Sequence, residues 1–393
     1  MSHVRRAVAC AGALAVSLFS FAVSASTTAN AVDPASKTTA DAAVTWLKSQ
    51  QLPDGGFELA AFPGFETRDA ALAIAEDAQT GTTWSTGEAL AAVGAVKYQG
   101  SGATPLDALD DYAATITTAG AAGKTIVLSA APLGLDPAAF DPAGDGTPID
   151  LVALMGCGTT NEAAFNNLLY VALGQDLACA GGTQPAIVDA VRAAQQADGG
   201  WNFIGDPTGA DIDLDTTALA VEVLVAAGAD VTDPVLAHAL QFFADNQQPN
   251  GSWQSFGTDD PNSTALAIFG ITALGFDVES RCWKDTARPS AVGTAYASPT
   301  VWLRSQQLTS PPADAGRIAS PNDSFGVNTF ATSQSVEGLL QSWLPVVRAA
   351  PQTCVAPVPP VDPVPPVNPV EPGQPGAPAV EAVAVTATPR FTG

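Results

Sequence analysis

Three segments of the chain repeat one pattern: "AVTWLKSQQLPDGGFE" (Ala43–Glu58), "AVRAAQQADGGWNF" (Ala190–Phe203) and "ALQFFADNQQPNGSWQSF" (Ala239–Phe256). Each reads as a helix with apolar residues at helical spacing, then a Gln pair, a Gly turn and an aromatic. A fourth, "VWLRSQQL" (Val301–Leu308), keeps the helix and the Gln pair, with a longer Pro-bearing loop ending near Phe325. A second helix is expected after each copy: "WSTGEALAAVG" (Trp84–Gly94), "DTTALAVEVLV" (Asp215–Val225), "NSTALAIFGITAL" (Asn262–Leu274) and "FATSQSVEGLL" (Phe330–Leu340). This alignment superposes Thr86, Thr217, Thr264 and Thr332, and sets Asp215 against Trp84, Asn262 and Phe330. One helix pair cannot bury its apolar face alone, so the pairs must stack or close on themselves. Residues 105–173 supply further helices, and no alternation lasts long enough for a sheet. The expected class is all-α.

Both ends of the chain read differently. Arg5 and Arg6 precede an uncharged run from Ala7 to Ala25, and Ala29-Asn30-Ala31 fits a signal-peptide cleavage site. Residues 1–31 are therefore expected to be a signal peptide, 32–350 the helical domain, and 351–393 a Pro-Val tail, disordered and extended. The protein is expected to be secreted or extracellular, with the tail as a spacer that leaves room for cell-surface association. Export suits the cysteines: Cys157, Cys179, Cys282 and Cys354 follow the signal, which suggests two disulfides. Three connectivities exist; proximity favours Cys157–Cys179 and Cys282–Cys354. The formal net charge of −24 argues against nucleic acid as a partner. One His (His238) and no CxxC after the signal argue against zinc.

The repeats resemble the QW motif of the squalene/terpene cyclase and prenyltransferase superfamily. Trp46, Leu47, Gln51, Gly55 and Phe57 fit it, with Phe in place of Trp; Gln196, Gly199 and Trp201 fit its second half, as do Gln247, Gly251 and Trp253. The resemblance covers roughly residues 40–345 and implies an α/α toroid, a ring of helices inside another ring. A ring has a mouth, and a concave mouth is a natural ligand site. Asp211, Asp213, Asp215, Trp201 and Trp253 are the expected ligand-binding residues there.

Cyclases of this family that act by protonation carry Asp-x-Asp-Asp-Thr-Ala. "DLDTTA" matches it at Asp213, Asp215, Thr217 and Ala218, with Thr216 in place of the third Asp. The resemblance implies Asp215 as general acid and Asp213 as its neighbour in the catalytic pair. Against this, sister copies carry no acid there, aromatics make up only 7% of the chain, and only one helical barrel is present. Asp215 or Thr216 as a helix N-cap accounts for the same pattern. Asp211, Asp213, Asp215 and Glu222 follow EF-hand spacing, which would suit calcium. It loses ground because Thr216 replaces the turn glycine; a looser cation site on Asp206, Asp211 and Asp213 stays open. Secreted cobalamin carriers of the transcobalamin type share such helix starts, but they close their site with a β-domain that this sequence lacks. "GCGTTNE" (Gly156–Glu162) lacks the Gln of a thioester domain. The expectation is therefore a monomeric, exported, non-catalytic ligand-binding or surface module, binding a small hydrophobic molecule or a cell-surface partner. A class II terpene cyclase-like enzyme and a cobalamin carrier are the alternatives.

Overall fold

The computed structural model describes residues 32–342, apart from 58–65, 82, 145, 163, 210–211, 290–294, 322 and 324–328. The expected signal peptide, the Pro-Val tail, Asp211, Phe325 and Cys354 lie outside the described residues. The fold is helix-rich, as the periodicity implied. In order come α1 (Pro34–Ser49), α2 (Thr67–Asp77), α3 (Thr86–Gly94), α4 (Pro105–Ala113) and α5 (Ala119–Thr125). A π-helical turn (Ile126–Ala130) carries α5 on into α6 (Ala131–Leu133). Next are α7 (Leu151–Met155), α8 (Phe165–Ala178), α9 (Pro185–Ala193), α10 (Leu214–Ala226) and α11 (Pro234–Asn246). A two-residue hairpin, β1 (Gln254–Ser255) with β2 (Thr258–Asp259), leads to α12 (Pro261–Ala273), α13 (Cys282–Ala287), α14 (Pro299–Ser305) and α15 (Thr329–Leu339).

Proline opens α1, α4, α9, α11, α12 and α14. It suits that position, because its fixed φ is already helical and its missing N–H has no intrahelical partner there. A second set of helices, which shares α12 with the first, is buried on almost every side. In α10, Leu214 and Thr216 to Leu224 are all buried; α12 and the second half of α15 are similar. Helices apolar all round belong inside other helices. These buried helices touch in sequence: α2 meets the π-helical turn, α5 meets α8, α8 meets α10, α10 meets α12, α12 meets α15, and α15 returns to α2. The contacts form a closed cycle of six.

The Gln of each repeat links one flanking helix to the next. Gln51 Nε2 donates to Gly55 O (3.0 Å) and Ala103 O (3.3 Å), just ahead of α4. Gln195 Nε2 donates to Gly199 O (2.9 Å) and Val235 O (2.8 Å) in α11. Gln247 Nε2 donates to Gly251 O (3.1 Å) and Ala297 O (3.2 Å), ahead of α14. Gln307 Nε2 donates to Gly316 O (3.0 Å) and to Thr39 O (2.8 Å) back in α1, tying the last repeat to the first. In the second repeat the residue in this role is thus Gln195, one position before the expected Gln196; Gln196 instead donates to Asp206 O (2.9 Å). The glycines allow the close approach. A Cβ on Gly199 (φ +98°) would sit 2.4 Å from His238 O, and one on Gly316 (φ +102°) 2.3 Å from Ala42 O.

A threonine then anchors each turn to its buried helix. Thr217 Oγ1 accepts from Trp201 N (2.9 Å), Thr264 Oγ1 from Trp253 N (3.0 Å) and Thr332 Oγ1 from Ile318 N (3.1 Å). In the first repeat the partner of Phe57 N is Thr67 Oγ1 (2.9 Å), not Thr86. The alignment at Trp84–Gly94 was therefore misplaced by one helix. The true counterpart, "TRDAALAIAED", begins with charges that hid it, and α3 packs on α2, α4 and α6 outside the cycle. The fourth copy's turn closes at Gly316 and Ile318, well before Phe325.

Of the two expected disulfides, Cys157–Cys179 is present. Cys282 is also disulfide-bonded, while its expected partner Cys354 lies outside the described residues. No described helix is long and apolar enough to cross a membrane.

Candidate functional site

Asp213, not Asp215 or Thr216, is the N-cap of α10: its carboxylate accepts from Thr216 N at 2.6 Å. Asp260 caps α12 in the same way, accepting from Ser263 N at 3.1 Å. The cap is therefore shared by both repeats, two residues before the position occupied by Asp215 in one and Asn262 in the other. Because the cap is already supplied, Asp215 is released from that task. Its Oδ1 accepts from Ser263 Oγ of α12 at 2.9 Å. Burial, then the nearby Asp213 carboxylate, push its pKa up to about 7; the Ser263 bond opposes this, and Asp260 adds to it.

Asn262, at the equivalent place, continues the circuit. Its Nδ2 donates to Gln334 Oε1 of α15 at 2.9 Å, and Gln334 Nε2 approaches Asp69 Oδ1 of α2 at 3.5 Å, the limit for a hydrogen bond. Thr329 of α15 hydrogen-bonds the Glu66 carboxylate at the head of α2. Arg68 Nη1 donates to Thr125 Oγ1 of α5 at 3.2 Å, with its guanidinium 4.5 Å from the Tyr112 ring centroid. Lys124 Nζ of α5 lies 5.2 Å from the ring centroid of Tyr170 on α8. Polar side chains thus join α10, α12, α15, α2, α5 and α8 in turn.

Deeper in the same helices sit Glu222 and Glu337, each five residues after the anchoring threonine of its repeat. With Asp69 and Glu76 they form a buried acidic group. Its field is felt throughout the interior. Burial, then Asp69, Glu76 and Glu222, hold the Glu337 carboxyl well above the usual range, with Lys124 opposing. Burial raises the Tyr170 hydroxyl, and Asp69 and Glu222 raise it further. Burial lowers Lys124 to about 8 against the pull of Asp69. Lys124, Tyr170 and Asp215 nevertheless keep some accessible surface.

The expected site is only partly assembled. Asp213 and Asp215 lie together, whereas Trp201 and Trp253 are both fully buried. Their indole N–H groups donate to Val191 O (2.7 Å) and Phe243 O (3.0 Å), so each ring covers the end of its own flanking helix. The EF-hand reading fails, because its proposed loop is helix from Leu214 and Glu222 lies mid-helix. Asp206 accepts from Thr208 N and Oγ1 (both 2.8 Å) in a local turn. Among the described residues no three His, Cys, Asp or Glu side chains converge as metal ligands. Arg68, Asp69, Lys124, Tyr170, Gln334 and Glu337 were not anticipated. Their available signal was isolated charge inside otherwise apolar helices, as in "AGAAGKTIVLSA" (Ala119–Ala130).

No family model matches the chain, and no curated protein does. Among solved structures, it is similar to the type II terpene cyclase MstE from Scytonema in its apo form. The TM-score is 0.47 at 16% identity, over 78% of this chain and 98% of that one. A substituted form of that cyclase, in complex with merosterolic acid A as product, aligns with a TM-score of 0.46 at 16% identity, over 78% of this chain and 96% of that one. Likeness at this level identifies neither substrate nor activity.

Proposed function

We propose that the closed cycle of buried helices is the inner ring of an exported α/α toroid, and that the protein is a non-catalytic binding module. Its ligand is held at the mouth where the inner helices begin. The observation that carries this reading is that Asp215, Lys124 and Tyr170, on three helices of that cycle, are desolvated by protein yet keep some accessible surface. A lining of this kind suits a small polar ligand better than the hydrophobic molecule expected from the sequence, because an apolar ligand would strip water from charges without replacing it. Native mass spectrometry of the exported protein, purified from culture supernatant, tests the reading. A retained small molecule released by denaturation is the expected result; bare protein mass, with no molecule released, counts against it.

A second reading is favoured by one observation, the Asp215 carboxyl brought up to about 7. An acid with a pKa near the working pH is suited to protonate a substrate, so Asp215 serves in this reading as the general acid of a terpene cyclase-like enzyme. Cyclisation of a polyprenyl substrate by the wild-type protein, lost in Asp215→Asn, would establish it.

A further inference from the structure

A cleft of about 310 Å³ opens between the turns of the second and third repeats, and none of Asp215, Lys124 and Tyr170 lines it. Its floor is apolar, made by Ile212 and Leu214 at the head of α10, Phe242 of α11 and Trp253. Its walls carry Asp198, Asn246, Gln248 and Gln254, and no Lys or Arg is among the described residues that line it. The three amides are turned alike. Asn246 Nδ2 donates to Phe242 O (2.9 Å), Gln248 Nε2 to Asn246 O (3.1 Å) and Gln254 Nε2 to Asp259 Oδ1 (2.9 Å). Each partner is a carbonyl or carboxylate oxygen, which fixes the NH₂ end of each amide there and leaves the amide oxygen for the cleft. Asp198 is arranged similarly: Oδ1 accepts from Gly200 N at 3.2 Å, and its second oxygen remains. The cleft thus offers one carboxylate and three amide oxygens over an apolar floor. Beside it, the hairpin that supplies Gln254 turns at Phe256, which is fully exposed at φ +49°. A large aromatic side chain left in water on a backbone that favours Asn or Gly packs nothing, and outliers of this kind mark function.

We propose that this cleft binds the arginine side chain of an extended segment of a partner protein, with an apolar residue two places along that segment packed on Phe256. A guanidinium presents five N–H donors in one plane and no acceptor, so it matches a wall of oxygens. Its faces are weakly hydrated and lie readily on apolar surface, as the floor of Ile212, Leu214 and Phe242 provides. A lysine ammonium is a compact, strongly hydrated point charge and would leave that floor uncovered. Gln254 and Phe256 are two residues apart, a span of at most about 7 Å, which is also the spacing of alternate side chains along an extended peptide. The net charge of −24 draws a basic partner toward the surface. The inference goes beyond the binding-module reading, with which it shares no residue.

The probe is the peptide Leu-Gly-Arg-Gly-Leu, acetylated and amidated at its ends, titrated calorimetrically into the full chain. It is expected to bind with a Kd of about 1 mM or tighter. Two analogues separate recognition from general attraction by the 39 Asp and Glu residues. Citrulline in place of the arginine keeps its shape but is neutral and puts a carbonyl oxygen where a donor was; lysine keeps the charge without the plane. Both should bind at least about tenfold more weakly. Asp198→Asn retains an oxygen for Gly200 N and removes a single charge. It should weaken the arginine peptide at least about tenfold while circular dichroism stays that of the parent. The citrulline comparison needs no variant and decides the matter even if Asp198→Asn fails to fold. Phe256→Asn, which suits the turn, should weaken the probe at least about threefold and leave Gly-Gly-Arg-Gly-Gly unaffected. No binding of the arginine peptide, equal binding of either analogue, or undiminished binding in folded Asp198→Asn or in Phe256→Asn overturns the proposal. Free arginine binding as tightly as the peptide also overturns it, because the ligand is then a small molecule and not a partner protein.

Discussion

Replacing Gln247 by Leu tests whether the repeat glutamines hold the flanking helices together. Gln247 is 9% exposed. Its Nε2 bridges Gly251 O and Ala297 O, and its Oε1 accepts from Lys284 Nζ at 2.9 Å. Leucine has a similar volume, so packing changes little while three polar groups lose a partner. Each lost bond is worth about 1 kcal/mol net. Lys284 is only partly enclosed and recovers water, which brings the expected cost to about 2–3 kcal/mol. For a domain of this size that is a fall in Tm of roughly 5 °C. The matched control is Gln248→Leu: its side chain donates only to Asn246 O near the surface. A surface change of that kind should cost no more than about 0.5 kcal/mol. Urea unfolding followed by far-UV circular dichroism reads both midpoints. Equal midpoints for the two variants would refute the bridging role, because the sequence presents them as an undifferentiated pair.

Asp215 gives stability a pH signature. Its pKa is about 7 folded against 3.8 for the ordinary group, so between these values the folded state holds a proton that the unfolded state has lost. Its contribution is full below about pH 4 and disappears as pH rises through about 7, on the order of 4 kcal/mol in all; Asp215→Asn should flatten that part of the stability profile, and an unchanged slope would reject the assignment. Phe256 stands at φ +49° before Gly257 at φ +78°, in a hairpin turn, and is fully exposed. Left-handed turn positions prefer Asn, so Phe256→Asn should stabilise by about 0.5–1 kcal/mol in thermal melts; a lower Tm would contradict this. The Cys157–Cys179 bridge spans a separation of 22 residues. Replacing both by Ser should cost about 3 kcal/mol in urea unfolding, and a loss near zero would show that the bridge constrains the unfolded chain little.

Much of the architecture was legible because its devices are local. Gln followed four residues later by Gly, then an aromatic, is a complete turn-closing unit, and three copies announced themselves. The fourth was half hidden, since Gly316 arrives late and Ile318 replaces the aromatic. The first copy's buried helix was missed because Thr67 is followed by Arg68 and Asp69, which look like surface residues. Those same charges turned out to belong to the interior. Likewise, the acid at Asp215 was visible as a local excess, but the sequence offered it or Thr216 as the helix cap. Asp213 performs the capping, and the residue that engages Asp215 is Ser263, 48 positions away.

The sequence alone determined the repeat unit, the helical class and the turn chemistry. Each of these depends on residues within one helix pair, where backbone sterics and local hydrogen bonds decide the outcome. Tertiary structure alone decided which charges meet. Asp69, Lys124, Tyr170, Glu222 and Glu337 come from five separate helices, and no spacing along the chain encodes their approach. They share one environment because α15 packs back onto α2, a closure that Gln307 donating to Thr39 O accompanies in the flanking helices. Closure of the helix cycle, and the desolvation it imposes, converts scattered charges into a single interacting group.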